Sequence, residues 1–104
     1  MDIKTLNDDF RKSLLGGKVM LTRGISSKGQ KAINEILYRV KTFDNFTTDN
    51  DPYNEHDYGS FLYDGQKIMW KIDYYDKDLR YFSEDPEDVS KTIRVMTIML
   101  VEEY

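Results

Sequence analysis

Gly59-Ser60-Phe61-Leu62-Tyr63-Asp64-Gly65-Gln66-Lys67-Ile68-Met69-Trp70-Lys71-Ile72-Asp73-Tyr74-Tyr75 decides the fold. Two β-rich runs flank Asp64-Gly65, a dipeptide that favours a two-residue turn because both of its residues must take positive φ. A hairpin over residues 59–74 follows, with Tyr63 opposite Gln66 and the rest of the register set by counting outward. One face then carries Phe61, Tyr63, Ile68, Trp70 and Ile72, and Gly59 stands across from Trp70, leaving space for the indole. The other face is mixed and holds His56, Tyr58, Leu62, Met69, Lys71 and Asp73.

Toward the N-terminus the period changes from two to that of a helix. Ile3, Leu6, Phe10 and Leu14 recur at helical spacing, with Asp2 placed to cap and Gly16-Gly17 to stop. Val19 to Thr22 reads as a short strand. Ser26 and Ser27 are placed to cap a second helix, whose apolar stripe is Ile33, Ile36, Leu37 and Val40. The segment from Ser90 to Tyr104 fits a helix through Ile93, Met96, Leu100 and Tyr104, with Asp85, Glu87 and Asp88 ahead of it. Its β-branched residues would also suit a strand; helix is the reading adopted. The expected class is α+β: a small antiparallel sheet, including the hairpin at 59–74, packed against about three helices in a single domain over 1–104.

A chain of 104 residues fits one domain. It has no cysteine, which excludes disulfides and thiolate zinc sites. Neither Met1-Asp2-Ile3-Lys4 nor the longest apolar run, Ile98 to Val101, is a leader or a membrane span, so a cytoplasmic location is expected. The net charge of −4 is unevenly spread: residues 1–43 hold nine Lys/Arg against four Asp/Glu, and residues 44–88 hold four against thirteen. An acidic surface argues against binding a nucleic-acid backbone.

The stretch 42–58 is turn-rich, acidic and aromatic, and a loop this long in a small domain is often functional. Asp49, Asp51, Glu55, His56 and Asp57 are its candidate binding residues, and Tyr58, Lys71, Asp73 and Tyr75 join them through the hairpin register. Clustered carboxylates suit a hard cation, but Tyr53, Asn54 and Ser60 break the EF-hand pattern, and turn chemistry alone accounts for Asp and Asn beside Pro52. Counting outward from the turn sets His56 against Asp73. That pairing has two readings, an acid–base couple and a polar network finished by the tyrosines; the network is preferred. No nucleophile has a local signature, and no cofactor is implied. Gly16-Gly17 lacks the Lys-Ser/Thr of a phosphate loop.

Phe43-Asp44-x-Phe46-Thr47-x-Asp49-Asn50-Asp51-Pro52-Tyr53-x-Glu55-His56-Asp57-x-Gly59 resembles a domain-of-unknown-function family of small bacterial proteins, often carried on plasmids and other mobile elements. Val19-x-Leu21-Thr22-x-Gly24, Trp70-Lys71-Ile72-Asp73-Tyr74-Tyr75-Asp76, Ser83-x-Asp85-Pro86-x-Asp88, Arg94-Val95-x-Thr97-Ile98-Met99-Leu100 and the terminal Glu103-Tyr104 agree with it. Asn54 stands where the family pattern usually has Gly, and Asn best tolerates the left-handed conformation such a turn needs. The resemblance brings no catalytic residue. It implies an accessory or anti-defence role, and the small size, acidic aromatic surface and lack of a catalytic set point to a non-enzymatic binding or inhibitor protein whose partner is a host protein or a small nucleotide-like ligand. A metal-dependent hydrolase using the acidic loop and His56 is the alternative.

Overall fold

The computed structural model describes residues 1–104. Helix α1 (Ile3–Ser13) starts at Asp2, whose carboxylate accepts from the Thr5 N–H at 2.8 Å. Its stop is Leu14, which takes the left-handed conformation at φ 60° two residues before Gly16. Strand β1 (Gly17–Leu21) leads into the short helix α2 (Arg23–Ser26) and then into α3 (Gln30–Lys41). The cap of α3 is Gly29 at φ 93°, so Ser26 and Ser27 close α2 instead of opening α3. Strands β2 (Tyr58–Tyr63), β3 (Gln66–Tyr75) and β4 (Ile93–Leu100) follow, with a final 3₁₀ turn at Val101–Glu103.

The hairpin forms as expected. Tyr63 pairs with Gln66, Gly59 with Trp70 and Tyr58 with Lys71, and the turn holds Asp64 at φ 50° and Gly65 at φ 78°. Gly59 is required by the indole. A Cβ there would lie 2.6 Å from Trp70 Nε1 and 2.7 Å from the Phe43 ring.

Residues 93–100 are a strand, not a helix. The strand lies inside the sheet, whose order is β1-β4-β3-β2, so both of its edges are bonded, and its burial alternates, with Arg94, Met96, Ile98 and Leu100 on the helix-bearing face. Ile93, Val95 and Met99 on the other face are apolar as well, so the residue types do not alternate and imitate a helical stripe. The Val, Ile and Thr residues at 92, 93, 95, 97, 98 and 101 were the better guide. β3 pairs antiparallel with both neighbours, while β1 joins β4 in parallel, Gly17 opposite Arg94. The α+β class stands, and its sheet is mixed.

All three helices bury side chains on one sheet face. Phe10, Ile25, Ile36 and Val40 meet Ile68, Trp70, Ile72, Met96, Ile98 and Leu100 in a single core. Ile68, Trp70 and Ile72 stand opposite Leu100, Ile98 and Met96, so the two central strands build one apolar floor. The opposite face belongs to Met20, Tyr58, Leu62, Met69, Lys71, Asp73, Thr97 and Met99, and no member of that core lies on it. The Glu103 carboxylate ties down the C-terminal turn by accepting from Thr22 Oγ1 at 2.6 Å and from the Leu100 and Gly24 N–H groups at 2.9 Å. No helix is long and apolar enough to cross a membrane.

Candidate functional site

The acidic loop is folded around Asp51. The residue is 7% exposed, and its carboxylate accepts from the Glu55 and His56 N–H groups at 2.9 and 3.1 Å. Those bonds curl residues 51–56 into a tight turn, with Asn54 at φ 55° and His56 at φ 54°. Positive φ at His56 turns the chain away from the line of β2, so strand pairing ends at Tyr58, and one further bond runs from the Ile72 N–H to the Asp57 carbonyl at 2.8 Å. The expected His56–Asp73 pair therefore does not form. The register held up to Tyr58, and an αL residue then ended the strand.

His56 points to α1 instead. Its Nδ1 lies 2.9 Å from Asp8 Oδ1, its Nε2 lies 3.6 Å from Asp51 Oδ2, and its ring lies flat on Phe46 with centroids 3.7 Å apart. The same Asp8 oxygen accepts from Arg11 Nη2 at 2.9 Å. Arg11 is 1% exposed, with its guanidinium 5.2 Å from the Trp70 ring and 5.4 Å from that of Phe46. Burial lowers its pKa, and Asp8 opposes that shift. Arg11 Nε and Trp70 Nε1 have no partner.

A second knot sits one helical turn away. Asn7, fully buried, donates to the Glu55 carbonyl at 3.0 Å and to the Tyr74 hydroxyl at 2.8 Å, and accepts from Arg94 Nε at 2.8 Å. Tyr74 in turn donates to Glu55 Oε1 at 2.9 Å. Burial is the main cause that pushes the Tyr74 hydroxyl well above its usual range; the bond from Asn7 opposes it and the Glu55 carboxylate adds to it.

Of the residues singled out in the sequence, Asp51, Glu55 and His56 thus meet in these knots. Asp49 is exposed on the loop surface. Lys71 and Asp73 form an ion pair on the face away from the helices. Tyr75 stacks on Phe82 with centroids 5.5 Å apart. Asp57, Tyr58, Lys71 and Asp73 do come together, lining a cleft of about 510 Å³ with Met69, Ile72, Val101 and Tyr104. Asp57 is half-buried there. Desolvation, followed by the nearby carboxylates of Glu55, Asp51 and Asp73, raises its pKa. No three His, Asp or Glu side chains converge as a metal ion would require.

Asn7, Asp8, Arg11 and Arg94 are the residues that sequence reasoning missed. Asn7 and Arg11 left a usable signal, because they occupy i and i+4 positions beside Phe10 on the buried side of α1.

The chain belongs to the family described as protein of unknown function (DUF3768), whose model matches residues 21–103. Neither the curated proteins nor the solved structures contain a match.

Proposed function

We propose that the chain is a non-enzymatic binding protein that takes a basic side chain of a partner protein into the cleft beside Asp57. Asp57 itself carries this reading. It is a half-buried carboxylate in the company of other carboxylates, and the nearest cation in the cleft, Lys71, is already held by Asp73. A buried charge without a counter-ion is costly, and an incoming Lys or Arg would remove that cost. Val101 and the largely exposed Tyr104 offer apolar surface to the stem of such a side chain. Tyr58 and Tyr104 offer ring faces to a guanidinium.

His56 supports the same reading from the other side. Its contacts with Asp8, Asp51 and Phe46 serve to hold the loop on the core, which suits a structural role better than proton transfer. The resemblance to small proteins of mobile elements fits an accessory, anti-defence factor aimed at a host protein. Its acidic cleft would then occupy a basic surface of the target.

The test is a peptide-display selection on the immobilised protein, with Asp57→Asn as the counter-selecting bait. Peptides carrying Lys or Arg should be enriched, and they should shift the amide signals of Tyr58, Met69 and Lys71. Enriched peptides that hold Asp57→Asn equally well, or that shift α1 and α3 instead, would overturn the proposal.

A further inference from the structure

Arg11 and Arg94 are both almost fully buried, at 1% and 4% exposure, yet the fold treats them differently. Arg11 has a carboxylate, Asp8, at 2.9 Å. Arg94 has none within ion-pairing distance; its partners are neutral, with Nε donating to Asn7 Oδ1 at 2.8 Å and Nη2 to the Pro86 carbonyl at 2.6 Å. The Tyr74 ring lies 5.2 Å from its guanidinium carbon. Burial lowers the Arg94 pKa, and no carboxylate opposes the shift. Removing a guanidinium from water without a counter-ion costs several kcal/mol in order of magnitude.

That unpaired cation lines the wall of a cleft of about 530 Å³ between the end of α1 and strands β1 and β4. The volume suits a small metabolite. Lys18 and Lys77, both exposed, belong to its rim, Lys18 on the edge strand β1 opposite Val95, and Asp9 is the one carboxylate among the lining residues. Three cations face one anion among the lining residues, with Asp88 outside the lining but within reach of the Lys77 charge. Gly17 keeps the floor of the cleft close, since a Cβ there would meet the Arg94 carbonyl at 2.5 Å and the Phe10 ring at 2.8 Å. A planar guanidinium with a spare N–H edge, backed by two mobile ammonium groups, is the donor set that a phosphate group takes.

We propose that this cleft binds a small phosphate-bearing molecule through Arg94, Lys18 and Lys77. The predominance of cations in the lining, and a planar guanidinium among them, suits a phosphate dianion better than a single carboxylate. The site lies at the β1 edge of the sheet, away from Asp57, and is independent of the partner surface proposed above.

Inorganic phosphate is the probe, titrated into isotope-labelled protein at constant ionic strength, with acetate as the monoanionic control. Phosphate should shift the Arg94 Nε–H signal and the Gly16 and Gly17 amides saturably, and acetate should not. The double variant Lys18→Ala/Lys77→Ala changes only exposed side chains and should weaken phosphate binding at least several-fold while leaving the protein folded. The absence of a saturable shift would overturn the proposal. So would an equal response to acetate, or unchanged phosphate affinity in the double variant.

Discussion

Asp8, in the second turn of α1, holds His56 Nδ1 at 2.9 Å across 48 residues of chain, and the same oxygen holds Arg11. One carboxylate thereby joins the first helix to the acidic loop and neutralises a buried guanidinium. Replacing Asp8 with Ala should cost about 2–3 kcal/mol, because Arg11 would be left charged and buried without its partner. Urea denaturation checks the size of the loss. The loop should also loosen, seen as faster amide exchange at Glu55 and His56. Unchanged stability together with unchanged exchange would show that the joint carries no weight.

Gly59→Ala tests the contact between the hairpin and the indole. The added methyl would collide with Trp70 Nε1 and the Phe43 ring, both closer than any real Cβ contact. Overpacking of this kind should cost about 1–3 kcal/mol and shift the Trp70 fluorescence maximum. Cutting Trp70 to Ala should cost about 3–5 kcal/mol, nearly all the stability of a domain this small. A Trp70→Ala protein with its melting temperature intact would contradict the core described above.

The turn at Asp64-Gly65 makes its own prediction. Gly65 sits at φ 78° with open space around its Cα, so any penalty on substitution comes from the backbone alone. Gly65→Asn should be nearly neutral and Gly65→Val should lose about 1–2 kcal/mol. Equal melting temperatures for the two variants would mean that the turn does not demand positive φ.

Asp57 sets a pH dependence opposite to that of most carboxylates. Its pKa is raised in the folded protein, mainly by burial, so the folded form binds a proton more readily than the unfolded chain does. Its contribution to stability is present at low pH and is lost as the pH rises through the raised folded value. At neutral pH the ionised group opposes folding. Asp57→Asn should therefore melt at a higher temperature than the parent at pH 7, with the gap closing by pH 3. A variant that is less stable at pH 7 would show the carboxylate to be well solvated or paired.

The hairpin was legible because turn chemistry and alternation agree over Gly59 to Tyr75, and each alone would have found it. α1 and α3 were legible for the same reason, their apolar stripes having one period only. β4 was not, since Ile93, Val95 and Met99 are apolar on the face away from the helices, so burial alternates along the strand while residue type does not. Met96 and Leu100 then look like a helical pair. His56 was misplaced for a different reason: a single αL residue redirects a chain, and nothing in Glu55-His56-Asp57 announces it. Its true partner, Asp8, lies so far away in sequence that no local pattern could have named it. Arg94 and Asn7 show the same limit, because two buried polar residues are understood only when the fold has brought them together.

The order of the strands also constrains how this protein can be made. β1 has a single neighbour in the sheet, β4, and β4 comes last in the chain. While the ribosome is still delivering residues 22 to 92, Val19 and Leu21 have no strand to lie beside, and β3 is paired only with β2, its other edge open. A nascent chain of this topology cannot consolidate from its beginning onward; its sheet closes in one late event, when Arg94 to Ile98 emerge and slot between strands already waiting. Until then Phe10, Ile25, Ile36, Val40, Ile68, Trp70 and Ile72 lack the strand that completes their core, and their apolar surface stays open to holding chaperones.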